Sequence, residues 1–153
     1  MRRIFLFLLL GAQCASSVAA LGGAASTFSG ASRTLAARSL AATSTSTSAT
    51  VNYTVTTSTL DSGTVVREYA SGAGVVFGVT WRGPIMPDLQ TLLGSHFSTM
   101  TTAAAARPRA GHSSLNVSGD DIVIQSGGHM RAYRGKAWIP STLPAGFDLS
   151  ALD

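Results

Sequence analysis

The residues of this chain best suited to chemistry fall between positions 129 and 138, where His129, Arg131, Arg134 and Lys136 interleave with Tyr133 and Trp138. Cations set beside aromatic rings are what a carboxylate, a phosphate or a glycan would meet in a binding site. In an extended strand His129, Arg131 and Tyr133 share one face, and Met130 and Ala132 take the other. The plainer reading of the same pattern is a solvated sheet face whose arginines stack on Tyr133 and Trp138.

Other chemistries find less support. His96, His112 and His129 are the only imidazoles, and with Asp88, Asp120 or Asp121 they supply donor types that a divalent metal accepts. None of them stands at a ligand spacing such as two histidines four apart on a helix, so no metal site is expected. Serines are abundant, yet no Gly-x-Ser-x-Gly elbow occurs. Ser126-Gly127-Gly128-His129 sets a hydroxyl near an imidazole, but neighbours in sequence rarely meet in the geometry a base requires. Gly72-x-Gly74 is not followed by a helical pattern and fails the dinucleotide fingerprint. No catalytic residue and no cofactor is expected.

The elements that must position these side chains are mostly strands. Residues 52–57 are rich in β-branched types, Thr64 to Ala70 follows a Leu60-Asp61-Ser62-Gly63 turn, and Val75 to Trp81 is apolar at nearly every position. The three predict an antiparallel meander with the last strand central. Pro87-Asp88 opens a helix whose apolar positions Leu89, Leu92, Leu93, Phe97 and Met100 recur at helical spacing, with Gly94 as a bend or a close approach. Ser114 to Val117 and Ile122 to Ile124 predict a hairpin around Ser118-Gly119-Asp120. His129 to Tyr133 and Lys136 to Ile139 predict another, with Arg134-Gly135 as its loop. Arg67-Glu68 reads as a cross-strand charge pair on an exposed strand. The expected fold is α+β: an antiparallel sheet of six or seven short strands with one long amphipathic helix, about 87–105, packed on one face.

The N-terminal third differs. Arg2 and Arg3, the apolar run Ile4 to Leu10 and the small residues Ser17-Val18-Ala19-Ala20 have the order of a cleaved export signal, with cleavage after Ala19 or Ala20. Its apolar run is under half the length a membrane span needs, so no stable membrane insertion is expected after cleavage. Arg2-Arg3 also fits the core of a twin-arginine signal, although the short basic region favours general secretion. Residues 20–50 are mainly Ala, Ser, Thr and Gly and predict a flexible leader, with 34–42 as a marginal helix or with Leu21 and Phe28 docking the segment as an arm. The domain proper is then 51–153.

Composition narrows the function. Cys14 is the only cysteine and leaves with the signal, so a disulfide scaffold and thiol chemistry are excluded from the mature protein. The formal charge of +4 falls to +2 without Arg2 and Arg3, too little to predict a nucleic-acid partner.

One resemblance spans nearly the whole mature chain. It rests on Val66-Arg67-Glu68-Tyr69, on Gly74 through Pro84, on Pro87-Asp88-Leu89 with Leu92-Leu93-Gly94, on Ser126 through Tyr133, and on Leu143-Pro144-Ala145-Gly146. In these segments the chain resembles a domain-of-unknown-function family of small exported proteins from Gram-negative, Burkholderia-type bacteria. The resemblance implies an exported bacterial protein and no particular activity.

The first functional expectation is a non-enzymatic exported protein of the periplasm or cell exterior that acts through contact with another envelope protein. The second is a small-anion or glycan binder using Arg131, Tyr133, Arg134 and Lys136, with the ligand on the concave sheet face under the helix. A hydrolase or metal enzyme around His129 comes third.

Overall fold

A computed structural model describes residues 21–44, 47–106 and 114–152. The export signal expected over 1–19 lies outside the described residues, as does His112.

Seven antiparallel strands form one sheet: β1 (Ser32–Ser44), β2 (Thr47–Thr59), β3 (Val65–Ser71), β4 (Val76–Gly83), β5 (Ser114–Ser118), β6 (Val123–His129) and β7 (Ala132–Trp138). Their order is β1-β2-β3-β4-β7-β6-β5. The chain thus lays down a four-stranded meander and crosses by its helical segment to the far edge. It then returns through two hairpins to pair β7 with β4. β4 is fourth of seven, and Val76 through Trp81 are buried on both faces, in keeping with its unbroken apolar run.

The segment expected to be a leader with a marginal helix over 34–42 instead contains β1, paired residue by residue with β2 from Ser32↔Thr59 to Ser44↔Thr47. Composition pointed away from this strand because alanine and serine are poor strand formers. A long partner already rich in threonine and valine supplies the ladder that those residues join. The docked-arm alternative describes residues 21–30 better. Leu21 is buried, its N–H donates to the Leu92 carbonyl, and Gly22 and Gly23 exchange backbone bonds with Val76. Phe28 packs against the same core.

The helical segment covers 89–105 but is not one continuous helix. α1 (Leu89–Leu93) stops at Gly94, whose φ of 54° glycine tolerates and other residues resist. A 3₁₀ turn follows, and then α2 (Phe97–Ala105). Asp88 caps α1 by accepting from the N–H of Gln90 and Thr91, and the Thr91 hydroxyl donates to it at 2.6 Å. That hydroxyl bond, followed by the two backbone bonds, holds the Asp88 carboxyl below the usual carboxylate range. Leu92 and Leu93 are fully buried, each contributing about 1.5–3 kcal/mol of apolar burial, whereas α2 buries none of its residues fully.

Alternation along the strands sorts the side chains onto two faces. The helix face carries Val66, Val79, Trp81, Ile124 and Ala137 under α1 and the N-terminal arm. The opposite face is covered at one end by residues 139–152. Here Phe147 meets Tyr53, Tyr69 and Phe77 at ring distances of 5.3, 6.3 and 4.9 Å, and Leu152 and Trp138 complete the cluster. Among the described residues the other end of that face has no such covering, and the cations lie there.

Candidate functional site: a cation-lined sheet face

The turn joining β6 to β7 is Met130-Arg131, with His129 opposite Ala132, so the expected loop at Arg134-Gly135 is incorrect. Gly135 lies in mid-strand between Trp81 and Ser126. A Cβ there would stand 2.2 Å from Trp81 Cζ2 and 2.8 Å from the Gln125 carbonyl oxygen. The glycine therefore makes room for the indole and does not bend the chain. Arg131 takes the turn conformation instead, with φ 66°.

This register redistributes the predicted residues. His129, Arg131 and Tyr133 do not share one strand face: Arg131 is in the turn, and His129 and Tyr133 alternate. Arg134 and Lys136 do share a face, the one opposite the helix. The face under the helix, expected to hold a ligand, is instead filled by the core.

On that opposite face Arg134 is registered against Arg82 of β4, Lys136 against Thr80, and Thr80 in turn against Arg67 of β3. These four cations line a cavity of 470 Å³ that also takes in Asn116, Gln125 and Leu152, and among the described residues no carboxylate lines it. Like charges directly opposite each other destabilise a sheet, by roughly 0.2–1 kcal/mol on the scale of cross-strand pairs. The Arg82–Arg134 row is thus a local cost in the free protein.

A second cavity of 540 Å³ adjoins the first, sharing Arg82, Gly127 and Arg134 with it and adding His129, Arg131 and Tyr133. Of the residues singled out from sequence, His129, Arg131, Tyr133, Arg134 and Lys136 line one or both cavities. Trp138 does not, because it is buried in the aromatic cluster, and Lys136 Nζ stands 5.9 Å from its ring centroid. Arg67, Arg82, Asn116 and Gln125 also line the first cavity and lie outside the 129–138 segment. Alternation could have placed Arg67 opposite its neighbours, but only the β4–β7 register brings Arg82 to Arg134.

Glu68, expected on an exposed strand beside Arg67, is fully buried on the helix face and neither cavity reaches it. Its Oε1 accepts from the Ser26 N–H at 2.8 Å, while Oε2 has no hydrogen-bond partner. Burial pushes this carboxyl upward in pKa, against the Ser26 hydrogen bonds and the charge of Arg33. Ser126 and His129 fall on alternate faces of β6, so they do not form a dyad. Among the described residues no three His, Cys, Asp or Glu side chains group as metal ligands, and no helix is long and apolar enough to cross a membrane.

The chain matches the family model described as a protein of unknown function (DUF2844) over residues 17–152, and it belongs to that family. No curated protein and no solved structure matches it.

Proposed function

We propose that this DUF2844 protein is an exported, non-catalytic binding protein that takes an anionic ligand on the cation-lined face of its sheet. One observation carries the reading: Arg67, Arg82, Arg134 and Lys136 converge from three strands on one cavity. Guanidinium groups bind carboxylates and phosphates bidentately, and an anion between Arg82 and Arg134 would turn their repulsion into attraction. Export is supported by the basic, apolar and small-residue order of positions 1–20. Contact with another envelope protein remains compatible with this location, but the cavity offers the more definite geometry.

Thermal unfolding in low salt with and without inorganic phosphate tests the reading. The wild-type protein should gain stability with rising phosphate, by mass action. The Arg82→Gln/Arg134→Gln variant should unfold slightly higher than wild type without phosphate and gain little on its addition. An equal phosphate response in both proteins would place the anion elsewhere and refute the assignment.

A further inference from the structure

We propose that the two adjoining cavities act as one groove for an anionic oligosaccharide, with Arg131 binding a unit beyond the one held by Arg82 and Arg134. The inference rests on the anion-binding reading above and goes further, to the size and chemistry of the ligand.

Contiguity comes first: the cavities meet at Arg82, Gly127 and Arg134, so a ligand can pass between them without leaving the protein surface. Length follows from strand geometry. Lys136 and Arg134 are two residues apart on β7, about 7 Å, and Arg131 lies beyond the end of the strand, so the row of cations extends over roughly 15 Å. A single phosphate or carboxylate cannot touch both ends of such a row. A chain of linked anionic units can.

The lining between the cations selects among such chains. Asn116 and Gln125 carry amides that both donate and accept, and Tyr133 is among the residues lining the second cavity. Alternating charge with neutral hydrogen-bonding groups suits a sugar chain whose hydroxyls separate its carboxylates or phosphates. A single-stranded nucleic acid would instead ask for aromatic platforms along the groove. Among the described residues the first cavity has only Trp81, which is 2% exposed.

Arg131 supplies a further sign. Its φ of 66° is a backbone conformation that costs a residue with a side chain about 1–2 kcal/mol and glycine nothing comparable. An arginine held there, at the mouth of the second cavity, fits a side chain used for contact more than one chosen for the turn. Arg131→Gly therefore removes the cation and relieves the backbone in one step, so misfolding does not confound the result.

Titration calorimetry of the full protein at low salt tests this with three probes: inorganic phosphate, a monomeric uronic acid, and an oligouronate of four units. The tetramer should bind wild type at least tenfold more tightly than the monomer. In Arg131→Gly that ratio should fall several-fold while the thermal midpoint stays at or above that of wild type. A tetramer no tighter than the monomer, or a ratio unchanged in Arg131→Gly, overturns the groove but leaves the anion site standing if phosphate or the monomer still binds. Tighter binding of a single-stranded oligonucleotide of equal charge also overturns it. No binding of any anion would instead refute the anion-binding reading itself.

Discussion

Glu68 is an acid sealed in the core with one carboxylate oxygen bonded and the other without a partner. Desolvation outweighs the Ser26 bonds and the attraction of Arg33, so its pKa in the folded protein lies above the ordinary carboxylate value. The sign for stability follows from proton counting. As pH rises through the unfolded pKa, the unfolded chain releases this proton and the folded chain keeps it, so stability falls until the folded pKa is passed. Glu68→Gln keeps an oxygen for the Ser26 N–H and removes the titration. The variant should lack this part of the decline, which starts in the ordinary carboxylate range and ends above it at the raised folded pKa, and it should unfold at a higher temperature than wild type at neutral pH. Parallel pH profiles would contradict the assignment. Sequence neighbours misled here: Arg67 and Glu68 look like a pair, but alternation sends the base to the cavity and the acid beneath the arm. The alternation was readable. That an arm from residues 21–30 would cover one side was not, because the contact of Ser26 with Glu68 spans 42 positions.

At the scale of elements, apolar and β-branched runs located β2, β3 and β4, the 89–105 helical segment and the β5–β6 hairpin. The long apolar run of β4 also disclosed its central place. Two elements were not legible. β1 is defined by its partner more than by its own alanines and serines. The β6–β7 turn was misplaced because Gly135 looked like a loop residue. What that glycine answers to is Trp81, 54 positions away in the chain and adjacent in the sheet. Gly135→Ala should therefore cost about 1–3 kcal/mol in chemical denaturation, the usual penalty of an overpacked core. A neutral effect on stability would mean that the strand register at Trp81 is wrong. The candidate site was legible by residue type within 129–136 and illegible in its other half, since Arg67 and Arg82 join it only through the pairing of β3, β4 and β7.

Taken whole, the molecule is one sheet with unequal coverings. α1 and the N-terminal arm close one face, and residues 139–152 close one end of the other with an aromatic cluster. The remaining end of that second face gathers four cations in a protein whose overall charge is small. The charge is thus local, which predicts a site that acts at contact distance and a binding constant that weakens with salt, since exposed charges more than about 10 Å apart are screened at moderate ionic strength. The most direct measurement is amide chemical-shift mapping of isotopically labelled protein during titration with inorganic phosphate at low salt. Saturable shifts should concentrate at Arg67, Arg82, Gln125, Arg134 and Lys136, with Val66 and Leu92 on the helix side still. Shifts spread evenly over the surface, or centred on the helix face, would contradict the anion-binding reading.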